Sequence, residues 1–173
     1  MSGTADFRPL LAWTLDNPEL ALLAASALFA FLTLALMTKP HSGRRMVEVL
    51  FRCYLLFAVA LLFLDRAIGA GLFGSDAAAA VHGGTAETSA AYAYLAFAVL
   101  GLLALANSIG LRAAAVAGAS VYLLGPLVAA APADAAAHAP AVAIVLLGAF
   151  LLLLQLSLEA PPRADPHAGS GAP

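Results

Sequence analysis

Glu48, Arg52, Asp65 and Arg66 are the ionisable residues that interrupt one long apolar stretch, Val47 to Phe73. Glu48 and Arg52 are four apart, which places them on one helix face in the order that favours an ion pair. A charge inside a hydrocarbon layer points to function first, as the lining of a polar path for an ion or small solute. At the layer's edge the same residues are anchors, with Arg52 snorkelling towards the headgroups. Two helix registers separate these readings. A span over Val47–Ile68 leaves Glu48 and Arg52 one turn inside one face and Asp65 and Arg66 near the other. A span over Cys53–Phe73 draws Asp65 and Arg66 about 12 Å inwards at 1.5 Å per residue, where a charge costs about 2.5–3.5 kcal/mol. The first register avoids that cost and is the expected one.

A second set of residues suits helix contacts. Gly110, Ala114 and Gly118 recur every four residues, a spacing that lets backbones approach closely, and Tyr122 and Pro126 continue the stripe. Tyr122 lies deep in its apolar run and needs a partner for its hydroxyl. Asn107, Ser120 and Gln155 are candidates for interhelical hydrogen bonds of the same kind. Pro126 after Gly125 is expected to kink its helix.

Other chemistry is poorly provided for. His41, His82, His138 and His167 all fall in connecting or terminal sequence, whereas a haem between helices needs histidine at mid-membrane depth. There is no HExxH, CxxC or glycine-rich phosphate loop. Cys53 is the only cysteine, so no intrachain disulfide and no thiolate metal centre can form. In its apolar setting it reads as a small buried hydrophobe. No catalytic residue, no metal site and no cofactor is expected.

The elements that must carry these residues follow from composition. Of 173 residues, 63% are hydrophobic and 10% charged, and 44 alanines with 34 leucines supply nearly half the chain. Soluble domains are about a quarter charged, so the natural solvent of this chain is lipid. The excess of helix formers argues for an all-α membrane bundle and against a β-barrel. A net charge of −2 with one basic cluster, Lys39, Arg44 and Arg45, gives no basic surface for nucleic acid.

A membrane helix needs about 20 mostly apolar residues. Five runs qualify, at about 20–37, 47–68, 90–111, 113–131 and 141–158, forming a single membrane domain with no internal repeat. Asn17, Pro18 and Glu19 mark the first start, as N-cap, first helical residue and dipole-matched acid. Asn107–Arg112 is read as a tight link between the third and fourth runs; if it stays within the membrane, the span count is four. Residues 1–19 form a leader, too acidic for a signal peptide, which Trp13 can hold at the interface as a short helix. Residues 159–173, rich in Pro, Gly and Ala, are expected to be disordered.

Orientation follows from Lys and Arg, which stay cytoplasmic. Lys39, Arg44, Arg45, Arg52, Arg112 and Arg163 share one side; Arg8 and Arg66 lie on the other. The N-terminus is therefore expected outside and the C-terminus in the cytoplasm, in a bacterial inner membrane.

The blocks Tyr54–Phe73 (YLLFAVALLFLDRAIGAGLF), Glu87–Leu102 (ETSAAYAYLAFAVLGL) and Ser120–Val128 (SVYLLGPLV) resemble a family of small, uncharacterised, multi-span bacterial membrane proteins. In that family's pattern a Gly-His pair follows the second span and a Glu precedes the third. Glu87 matches; Gly69-Ala70 lacks the histidine. The resemblance implies the architecture and carries no activity.

Three functions are compatible with these residues. The first is a structural, accessory or assembly role through helix contacts, with the lipid bilayer and either a second copy or a larger membrane complex as partners. The second is a small-solute transporter or channel-like protein, with the second span and Tyr122 lining the route. The third is a membrane-embedded lipid or quinone enzyme using His82, Glu87 and Asp65.

Overall fold

Pro18 and Ser42 open the first two helices by different means. Pro18 takes the first helical position of α1, Pro18–Leu36, with Asn17 at the N-cap accepting the Ala21 N–H through its carbonyl at 3.0 Å and Glu19 in the first turn. Ser42 caps α2, Gly43–Gly69, by accepting the Arg45 N–H on its side-chain oxygen. The remaining helices are α3, Ala86–Leu103, α4, Ile109–Ala129, and α5, Ala139–Glu159. The computed structural model describes residue 12 and residues 17–37, 42–72, 86–106, 108–129 and 138–159. Most of the leader, all of the tail beyond Glu159, and Asn107 lie outside the described residues.

The chain is all-helical: no strand occurs among the described residues. Helices α1, α2, α4 and α5 are each long and apolar enough to cross a membrane. The fifth, α3, has a shorter apolar part, Ser89–Leu103, behind a more polar first turn that includes Glu87.

Helix α2 is the axis of the bundle, and all four other helices touch it. Its 27 residues would extend about 40 Å, more than the ~30 Å hydrocarbon layer, so its two charged ends can both reach headgroups. Its buried residues include Phe51, Tyr54, Leu55, Ala58, Val59, Leu62, Phe63 and Ala67, which is the all-round burial expected of a central helix. Between Tyr54 and Leu62 the helix widens into a π-helical segment, Leu55–Leu61. Regular helix stops at Gly69, four residues short of the Phe73 end of the alternative register, and a turn follows in which Gly71 takes φ +88°.

In lipid, which is as apolar as leucine, close packing rather than water exclusion would hold such helices together. Small residues provide it here. A Cβ on Gly101 of α3 would lie 3.0 Å from the Ala60 backbone nitrogen, in the π-helical segment. On α5, Gly148 leaves room for the Tyr54 ring, whose hydroxyl donates to the Ile144 carbonyl at 3.0 Å. Phe63, Tyr94, Phe97 and Tyr122 fill the space between α2, α3 and α4, with ring centroids 5.0–6.2 Å apart.

The link between α3 and α4 closes earlier than the sequence spacing predicts. Turn hydrogen bonds run from Ala104 N–H to Leu100 O and from Ala106 N–H to Leu103 O, and the Ser108 carbonyl accepts the Arg112 N–H. Arg112 is therefore in the first turn of α4 and not in a loop, a shift that decides the chemistry of this end of the bundle. Helix α4 continues through Pro126 to Ala129.

Candidate functional site

Arg112 is fully buried, with 0% of its surface exposed. Taking a guanidinium out of water costs several kcal/mol unless its donors are met and its charge is paired. A cation in the first turn of a helix also opposes the helix dipole. Both penalties are met by one acid on another helix. Arg112 Nη1 donates to Glu48 Oε2 at 2.7 Å and Nη2 to Glu48 Oε1 at 2.6 Å, the two-pronged geometry that only arginine can give a carboxylate. Its Nε donates to the Ala104 carbonyl at 3.3 Å, one of the acceptors left open where α3 ends. The guanidinium also stands 5.5 Å from the Phe51 ring centroid, within cation–π range.

Glu48 serves two arginines. Arg52 Nε donates to Glu48 Oε1 at 2.7 Å along α2, as their spacing predicts. The expected local pair is thus one edge of a three-residue network joining α2, the α3–α4 turn and α4. Arg112 was legible in the sequence only as a topology marker. Its burial depends on the early closure of the link, which no periodicity revealed.

Beside this network lies a cavity of about 260 Å³. Its walls include Arg44, Arg45 and Arg52 from α2, and Gln155, Leu158 and Glu159 from α5. Gln155 is only 6% exposed. Its Nε2 donates to Glu159 Oε1 at 3.1 Å, while its Oε1 is buried with no hydrogen-bond partner.

The opposite end carries a second lock. Arg66 of α2 donates to Glu19 of α1, tying the start of α1 to the end of α2. Asp65 is exposed beside it. The two ends of α2 are therefore occupied by separate ion pairs, and the interior between them by aliphatic and aromatic side chains.

The other candidates are distributed as follows. Gly110 and Ala114 are exposed on α4, whereas a Cβ on Gly118 would meet the Phe97 ring at 2.8 Å. Tyr122 lies edge-on to Tyr94, with centroids 5.0 Å apart. Ser120 bonds back to the Val116 carbonyl of its own helix, as mid-helix serines do. Asn107, His82 and the Glu87 side chain lie outside the described residues. Among the described residues, no group of three or more His, Cys, Asp or Glu is placed to hold a metal ion.

Searches of curated proteins and of solved structures each returned no match. A family model matches residues 16–158, which takes in α1 to α4 and all of α5 but its last residue. The chain belongs to that family, a family of unknown function (DUF6790).

Proposed function

We propose that this is a multi-pass bacterial inner-membrane protein with its arginine-bearing end in the cytoplasm, acting through helix contacts in a structural, accessory or assembly role. The observation that carries this reading is the use made of the charges on α2. Glu48 and Arg52 are drawn into the Arg112 network, and Arg66 is bound to Glu19. Phe63, Tyr94, Phe97 and Tyr122 fill the space between α2, α3 and α4. Ion pairs of Glu48 with Arg52 and Arg112 at one end and of Arg66 with Glu19 at the other, with rings packed between them, suit a closed bundle better than a conducting one.

The outward surface supports the same reading. Leu28, Phe29, Phe31, Leu32 and Leu36 of α1 are exposed, and such a surface is at home against lipid or another membrane helix. Purification in several mild detergents should recover a homo-oligomer or a stoichiometric membrane partner, and reconstituted vesicles should show no solute flux that depends on Asp65. A clean monomer in every detergent, or flux abolished by Asp65→Asn in protein that still inserts, would overturn the proposal.

A further inference from the structure

The cavity beside the Glu48–Arg52–Arg112 network has a built polarity. On one side stand Arg44 and Arg45, which have no carboxylate within ion-pair distance among the described residues. They lie in the first turn of α2, behind its Ser42 cap, where the helix dipole also favours an anion. On the other side stand Gln155 and Glu159, in the last turns of α5, where the dipole favours a cation. Glu159 is a wall of the cavity, yet it forms no ion pair with Arg44, Arg45 or Arg52. Glu48 and Arg52, which also line the cavity, neutralise each other, whereas Arg44 and Arg45 on α2 and Glu159 on α5 share the space without pairing.

Gln155 adds an independent sign of a missing ligand. Its NH2 is committed to Glu159, which fixes its amide so that Oε1 is the free atom. A buried acceptor without a partner costs about 1–3 kcal/mol. It calls for a donor, and its carboxylate neighbour favours a donor that is positively charged.

We infer that this cavity binds the headgroup of an aminophospholipid, its phosphodiester against Arg44 and Arg45 and its primary ammonium against Gln155 Oε1 and Glu159. The volume, about 260 Å³, falls just below the roughly 300–1,000 Å³ of sites that enclose a drug-sized molecule. It suits a headgroup whose acyl chains remain outside. Leu158 forms part of the wall, and the exposed Leu146, Phe150 and Leu153 give α5 an apolar surface leading towards that end. Headgroup binding here is independent of whether the bundle has a protein partner.

The test is lipid retention by the full-length protein in a mild detergent, read by native mass spectrometry. The probes are phosphatidylethanolamine, its N-methyl and N,N-dimethyl derivatives, and phosphatidylcholine. Phosphatidylcholine should be retained about tenfold more weakly than phosphatidylethanolamine, the scale of one buried hydrogen bond. The largest drop should come with the third methyl, which removes the last N–H. Gln155→Leu should flatten the series, and an Arg44→Ala/Arg45→Ala double variant should weaken all four lipids while preserving their order. Equal retention of the four lipids by the unaltered protein overturns the assignment, without any variant having to fold. So does a series unchanged by Gln155→Leu. Displacement of the lipid by an equal concentration of glycerophosphoethanolamine overturns the membrane source in favour of a soluble zwitterion.

Discussion

Arg112 on α4 and Glu48 on α2 form a two-pronged ion pair across 64 residues of sequence, with both nitrogen–oxygen distances at or below 2.7 Å. Breaking a buried pair from one side costs about 3–5 kcal/mol, because the surviving charge is left without compensation. Glu48 keeps 26% of its side-chain surface exposed while Arg112 keeps none, so the two single variants should differ. Arg112→Met leaves an acid that can still reach water and Arg52, and should lose about 2 kcal/mol. Glu48→Gln strands a buried guanidinium and should lose about 3 kcal/mol or more. Arg112→Lys should restore little, since a lysine ammonium cannot make the parallel pair. Reversible unfolding in mixed micelles checks the order; equal losses would mean that Arg112 is not the more buried partner.

Tyr54 and Gly148 make a second interlocked pair. A Cβ on Gly148 would stand 2.3 Å from the Tyr54 hydroxyl oxygen and 2.7 Å from the ring carbon that bears it. Gly148→Ala should therefore destabilise by about 1–3 kcal/mol, the usual cost of overpacking. Tyr54→Phe alone should cost about 1 kcal/mol for the lost bond to Ile144. Combined, the two should cost less than their sum, because removing the hydroxyl relieves the nearer clash. An additive double-variant cycle would place Tyr54 elsewhere.

How far the sequence disclosed this arrangement depends on the kind of signal. Helices α1, α2 and α5 were legible because apolar runs of 18 or more residues have few alternatives. The Glu48–Arg52 contact was legible because its spacing is local. The Arg112–Glu48 pair was not, since a contact between helices depends on where a turn closes, and the sequence from Leu102 to Ile109 has no glycine or proline to mark it. The four-residue stripe on α4 was visible, but spacing cannot tell which side of a helix faces a neighbour in an alanine-rich chain. The π-helical widening of α2 left no mark in composition. Gln155 stood out as the one strongly polar residue within the leucine run of α5, although its free acceptor depends on how α5 packs against its neighbours.

The glycines should separate by what surrounds them. At Gly101 an added Cβ meets backbone, Ala60 N and Cα at 3.0 and 3.1 Å, which cannot step aside; Gly101→Ala should cost about 1–3 kcal/mol. At Gly118 the obstacle is one edge of the Phe97 ring at 2.8 Å. The ring can turn at a smaller cost, and Gly118→Ala should lose about 1 kcal/mol or less. At Gly110 the nearest atom is the Ser108 hydroxyl at 3.9 Å, so Gly110→Ala should be neutral or slightly stabilising, given alanine's helix propensity. Thermal unfolding of the three variants in one detergent tests the ranking, and a large loss at Gly110 would contradict the exposed placement of that face.

Sidedness can be tested with the single native cysteine as the starting point. Cys53 is buried, and Cys53→Ala should cost about 1 kcal/mol while giving a protein blind to thiol reagents. A cysteine then placed at His41, between α1 and α2, should be shielded from an impermeant maleimide in intact cells and react once the cytoplasmic face is opened. That outcome follows if Arg44, Arg45, Arg52 and Arg112, gathered at one end of the bundle, hold that end inside as basic residues do. A cysteine at Asp76, beyond the far end of α2, should react in intact cells. Reversal of the two labels would invert the membrane orientation and put the Arg44–Arg45 cavity in the outer leaflet.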